Sequence, residues 1–133
     1  MNNSRYGEEL FAQLMSANGY IVEDVSNNPS YWDKDIDFVI TSTFTNTTKT
    51  FEVKWDSRIA QTGNLYLEFI SKYSRGGYGW YEFCKADYLA YGDANSKQFI
   101  IVDMKQLRDR VDKLPKRIAY CGNDSAGYLV NKS

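Results

Sequence analysis

Polar and apolar residues largely alternate through Asp35-Ile36-Asp37-Phe38-Val39-Ile40-Thr41 and again through Thr50-Phe51-Glu52-Val53-Lys54-Trp55-Asp56, with the mostly polar run from Ser42 to Lys49 between them. A period of two is the pattern of a strand with one face buried, so the two segments predict a β-hairpin. Successive side chains on a strand point to opposite faces, which puts Ile36, Phe38 and Ile40 on one side and Asp35, Asp37, Val39 and Thr41 on the other. On the second strand Phe51, Val53 and Trp55 oppose Glu52 and Lys54. Directly paired residues share a face, so a register with Asp37 opposite Glu52 also pairs Ile36 with Val53 and Phe38 with Phe51. One register joins the apolar faces and gathers the charges.

Upstream, Ser4 to Ala17 has helical spacing. Ser4 suits an N-cap, Glu8 and Glu9 suit the first turn, and Asn18-Gly19 supplies the stop. Glu8 shares its helical face with Phe11 and Met15, and Glu9 shares one with Ala12, Gln13 and Ser16, so Glu8 is the inward-facing acid. Downstream, Thr62 to Ser71 predicts a turn and a third antiparallel strand on which Glu68 has the parity of Asn64 and Tyr66. Ala86 to Tyr91 and Gln98 to Asp103 predict two buried strands around the turn Gly92 to Ser96, completing a sheet of about five strands. Met104, Leu107, Val111 and Leu114 form the core stripe of a last helix. Tyr128-Leu129-Val130 fits either a final strand or the edge of a partner contact.

Two carboxylates or three beside one ammonium are costly as a mere surface and useful for a hard cation with oxygen ligands. The absence of histidine sharpens this reading. It removes Ser-His-Asp and Cys-His hydrolases and His-containing metal sites, leaving proton transfer and metal binding to carboxylates, Lys54 or water. Cys84 and Cys121 lack metal or redox spacing, and reduced, structural thiols are expected. The loop Lys72 to Trp80 mixes cations, glycines and aromatics. It suits phosphate contacts by Lys72 and Arg75 and stacking of Tyr78 or Trp80 on a base, or a connection whose Trp80 anchors in the core.

At this point the chain resembles the PD-(D/E)XK nuclease superfamily, particularly its small Holliday-junction-resolvase-like and phage-type members. The resemblance covers most of residues 4–92: a helix bearing Glu8, a Gly-aromatic entry into the first strand, Asp37, and Glu52-Val53-Lys54. The aspartate is preceded by Asp35-Ile36 rather than by proline, and Asp35 competes with Asp37 for the metal role. Asp37 better matches the family position. The resemblance implies a restriction-endonuclease-like α/β core, with an N-terminal helix followed by a mixed sheet flanked by helices. It implies Mg²⁺ or Mn²⁺ held by Asp37, Glu52 and the Val53 carbonyl, with Glu8 contributing directly or through water and Glu68 as an accessory ligand. Lys54 would activate the attacking water. The implied activity is DNA endonuclease, selective for branched structure. Exonuclease, restriction-type and catalytically inactive DNA-binding relatives are the alternatives. Arg58, Lys72, Arg75 and Tyr78 are the expected DNA contacts, and a homodimer suits a two-fold substrate.

Length and charge add limits. The 133 residues suit one α/β domain spanning 1–133, with little left for a separate target-recognition unit. No apolar run approaches the roughly 20 residues of a membrane span, and the N-terminus is no signal peptide, so the cytoplasm is expected, that of the host if a phage encodes the chain. The net charge of −1 gives no global attraction for phosphate. It is divided, however: residues 1–60 carry five Lys/Arg against nine Asp/Glu, and residues 61–133 carry eleven against eight. The six cations between Lys105 and Arg117 are expected to form a solvated helix face.

Overall fold

In the computed structural model Phe38 pairs with Phe51 and Ser42 with Thr47, so the two alternating segments form the expected hairpin in the expected register. The structure describes residues 4–32, 34–57, 63–71, 79–113, 118–121 and 125–131. Its elements are α1 (Ser4–Ala17), β1 (Ile21–Asp24), α2 (Pro29–Trp32), β2 (Phe38–Ser42), β3 (Thr47–Asp56), β4 (Asn64–Ser71), α3 (Trp80–Phe83), β5 (Tyr88–Asp93), β6 (Gln98–Asp103), α4 (Met104–Lys113), β7 (Ile118–Cys121) and β8 (Ser125–Asn131). Strand β2 starts at Phe38 because Asp35 takes a left-handed φ of 50°. That turn breaks the alternation, so Ile36 falls in a different core cluster from Phe38 and Ile40.

The central sheet has five strands in the order β1-β2-β3-β5-β6. It is mixed: β3 and β5 run parallel, and the other neighbours are antiparallel. Because β5 takes the free edge of β3, the expected third antiparallel strand does not join there. Strand β4 instead pairs with β8 in a second sheet of order β4-β8-β7. Tyr128 to Val130 therefore lies in a strand, with Val130 buried beside Leu65 and Leu67. Strand β6 is also a correction: as an edge strand it has no buried residue, and Ile101 is exposed.

Two apolar clusters flank the central sheet. Toward α1 lie Phe11, Phe38, Ile40, Phe51, Val53 and Ala90. On the other face Leu89 and Tyr91 meet Leu65 and Leu67 of β4, Tyr81 of α3, and the α4 stripe Met104, Leu107 and Val111. Leu114, expected on that stripe, lies outside the described residues. Helix α1 ends at Gly19, whose φ is 88°, with the Asn18 amide nitrogen and side chain both donating to the Leu14 carbonyl. Near its start Gly7 sits directly on β3, where a Cβ would lie 2.8 Å from Trp55. Among the described residues no helix is long and apolar enough to cross a membrane.

Candidate active site

Asp37 stands where β2 separates from β3. Its amide donates to the Phe51 carbonyl at 2.9 Å, and one residue pair further on its own carboxylate takes over from the backbone, Oδ2 accepting the Val53 N–H at 2.9 Å. The adjacent β3 residues follow from strand alternation. Phe51 and Val53 point to α1, so Glu52 and Lys54 point to the other face, where they pair with Leu89 and Tyr91 of β5. Glu52 is only 5% exposed, and its Oε1 lies 3.2 Å from Lys54 Nζ. Lys54 in turn lies over the Trp80 indole, 4.7 Å from its centroid. Glu8 lies on α1, its side chain 16% exposed and 3.9 Å from the Arg5 guanidinium, within electrostatic range of Asp37 and Lys54.

Burial and mutual repulsion set the charges. Burial, followed by the Asp37 charge, raises Glu8 to about 7. Asp37 is also raised by burial, against the Val53 N–H and Lys54, which hold it down. Glu52 is raised well above the ordinary range by burial, with Lys54 opposing and Asp37 adding to the shift. For Lys54 burial favours the neutral amine, but Glu52 and Asp37 outweigh it and keep the ammonium. Asp37 and Glu52 also act on one another, the Asp37 charge adding to the rise of Glu52.

The donor set fits a hard divalent ion. Among the described residues no three Asp, Glu, Cys or His side chains form a cage. Mg²⁺ does not require one, since it is commonly held by one or two carboxylates together with waters and substrate phosphates. Asp37 and Glu52 offer two carboxylates whose charges act on one another. Val53 adds a backbone oxygen: in an extended strand a residue's N–H and C=O face the same edge, and here that edge is the one β2 leaves.

The other expected residues divide. Asp35 sits half-buried in its left-handed turn, its carbonyl accepting from Cys84 Sγ at 3.6 Å, and its charge acts on Glu52 and Lys54. Glu9 is exposed and ion-paired to Arg5 at 3.2 Å, away from the cluster. Glu68 lies on β4, in the second sheet, opposite Gly127 and against Gly79. Arg58, Lys72, Arg75 and Tyr78 lie outside the described residues. Cys84 is buried and free, its thiol pushed up to about 12 by burial, which suits the expected inert, reduced state.

No protein-family model and no curated protein matches the sequence. By structure the chain is similar to a bacterial homing endonuclease, I-Ssp6803I, with a TM-score of 0.57 over 96% of this chain and 76% of that one, at 13% identity. The two share a fold. The expected nuclease-like α/β core, an N-terminal helix before a mixed five-stranded sheet, is the observed one.

Sequence reasoning missed three residues around this site. Gly7 lets α1 pack directly on β3 at Trp55, in the turn that carries Glu8. Its signal was present, because a glycine inside a helix costs about 1 kcal/mol relative to alanine and so calls for a packing reason. The other two are Tyr91 and Asp56, beyond Lys54. Tyr91 Oη donates to Asp56 Oδ2 at 2.5 Å and accepts the Tyr66 N–H at 3.0 Å, walling an open pocket of about 290 Å³ beside the ammonium. Nothing in the spacing of these residues announces that contact.

Proposed function

We propose that this chain is a Mg²⁺- or Mn²⁺-dependent DNA endonuclease of the PD-(D/E)XK type. The observation that carries the reading is the pair of buried Glu52 and partly exposed Lys54, with Asp37 held beside it by the Val53 N–H. An ion pair with one carboxylate buried is a weak device for stability, since desolvating that partner offsets most of the attraction. It is a strong device for chemistry. The fold shared with a homing endonuclease supports the same class of activity.

Asp37, Glu52 and the Val53 carbonyl would hold the cation, and Glu8 would complete the shell directly or through water. When bound, the cation supplies Lewis acidity at a phosphoryl oxygen and an acidified water. Lys54, kept protonated by Glu52 and Asp37, orients the attacking water and stabilises the charge that develops on the phosphate. Glu8, half-protonated near neutral pH in the metal-free protein, is suited to hold or release a proton at the rim of the cluster. Branched DNA is the proposed substrate, cut by a homodimer, with Glu68 as an accessory ligand. Sequence-specific cutting of linear duplex is the second reading, favoured by the fold likeness to a homing endonuclease.

The test is cleavage of labelled linear duplex, single-stranded, nicked and four-way-junction DNA in Mg²⁺, Mn²⁺ or EDTA. We expect metal-dependent cutting that falls by about 10²–10³-fold or more in Lys54→Ala, the loss typical of removing a transition-state donor, with the fold retained. Equal rates in the variant, or cutting in EDTA, overturn the reading. Preference for the junction selects the branched substrate, and preference for one duplex sequence selects the second reading.

A further inference from the structure

Lys54 has two neighbours of opposite character. Glu52 Oε1 lies 3.2 Å from its ammonium, and the Trp80 ring lies 4.7 Å away on centroid. The indole does not belong to the central sheet. It opens α3, a four-residue helix fixed from three directions. At its start Gly79 lies so close to β4 that a Cβ would come within 2.4 Å of the Glu68 carbonyl oxygen. At its centre the buried Tyr81 sets its ring edge-on to Trp80, at 6.0 Å and 84°. At its end Arg108 of α4 donates to the carbonyls of Tyr81 and Cys84 at 2.9 and 2.7 Å, with its guanidinium 4.5 Å above the Tyr81 ring. Trp80 also packs against the apolar cluster of that face.

A lysine held by Glu52 alone would be drawn toward the carboxylates. An aromatic face attracts an ammonium without accepting a conventional hydrogen bond, so it fixes the position of the nitrogen and leaves its N–H donors for other partners. The same engagement argues against the indole as a platform for a DNA base, because one face already meets Lys54 and the side chain is anchored in the core. We propose that Trp80 is the positioning residue for Lys54, aiming its ammonium at the phosphate during the chemical step. This rests on the nuclease reading of the site, and through α3 it makes the second sheet and α4 part of the active-site scaffold.

Two measurements on Trp80→Phe and Trp80→Leu test it. The first needs neither DNA nor metal. In protein carrying ¹³C-labelled lysine, the Lys54 ε-methylene resonance, assigned by its loss in Lys54→Ala, should show an upfield ring-current shift. That shift should persist in part in Trp80→Phe and vanish in Trp80→Leu. The second is cleavage kinetics, with unfolding midpoints measured alongside. In Trp80→Leu kcat should fall about tenfold with KM within about twofold, and Trp80→Phe should recover most of the loss, as a cation–π contact requires. An unshifted ε-methylene in wild type overturns the proposal. So does a Trp80→Leu enzyme that cleaves within twofold of wild type, or one whose loss lies in KM and is not rescued by phenylalanine. If wild type cuts no DNA, the nuclease reading fails, and the resonance still reports whether Trp80 holds Lys54.

Discussion

Toward α1 the central sheet presents Phe38, Ile40, Phe51, Val53 and Ala90, closed by Phe11; toward the second sheet it presents Leu89 and Tyr91 together with Glu52 and Lys54. One strand, β3, serves both sides by alternation. On the α1 side Phe11 meets Phe38, Phe51 and Phe99 with ring centroids 5.4 to 5.6 Å apart, contacts that cost no polar desolvation. On the other side the buried Glu52 carboxylate meets the partly exposed Lys54 ammonium at 3.2 Å, an arrangement whose desolvation offsets most of its attraction. The difference separates two jobs on one strand. The apolar face holds β3 in place, and that allows its other face to carry charge.

The largest effect that would break this comparison is expected at Phe11. Its side chain is 1% exposed and touches three other rings, so Phe11→Ala should cost about 3–5 kcal/mol of stability. Denaturant unfolding reads that loss directly. Cleavage per folded molecule should change little, because the rings Phe11 meets all belong to the apolar side of the sheet. If the variant kept its stability and lost its rate instead, the division of labour between the faces would be wrong.

What the sequence made legible follows the same division. The hairpin register was readable because both strands alternate, and only one offset buries Phe38 against Phe51; that offset also brings Asp37 to Glu52. The Met104, Leu107 and Val111 stripe was readable because helical spacing is sustained over two turns. Strand β4 was legible as a strand and misplaced as a neighbour. Alternation fixes which residues are buried, not which edge a strand joins, and its partner β8 lies about 60 residues further along the chain. The left-handed turn at Asp35 was hidden because aspartate tolerates that conformation without demanding it. Arg108 was read as one cation on a solvated face, since nothing in a run of charges tells which one turns inward to cap another helix.

Glu8 sharpens the comparison, because α1 carries it while the charges of the site act on it. Arg5, Asp24, Asp37 and Lys54 all face it, and burial followed by Asp37 puts its pKa at about 7 against 4.5 for an ordinary glutamate. Below about pH 4.5 it is protonated in both folded and unfolded chains. Between there and about 7 the folded state binds more protons, so stability falls as pH rises and stays lower above 7. In EDTA, Glu8→Gln should remove on the order of 2–3 kcal/mol of that decline between pH 4.5 and 8, with the remaining slope coming from Asp37 and Glu52. Urea midpoints across that range make the measurement. Parallel slopes for variant and wild type would mean that Glu8 is solvated, and that α1 belongs to the apolar face alone.

The smallest effect concerns how the charged face is closed. Arg108 satisfies two carbonyls at the end of α3 and stacks on Tyr81, so a residue that looks like surface charge fastens the helix that carries Trp80. Arg108→Met keeps most of the apolar stem and removes both hydrogen bonds. The expected cost is about 1–2 kcal/mol, the lower part of the range for leaving acceptors without their donor. Guanidinium unfolding would register it as a shifted midpoint at unchanged slope. The kinetic consequence discriminates further. A fixed α3 is required if Trp80 aims Lys54, so Arg108→Met should lower kcat by a few-fold, less than Trp80→Leu does, while a loss confined to stability would show that α3 keeps its place by packing against β4 and the core alone.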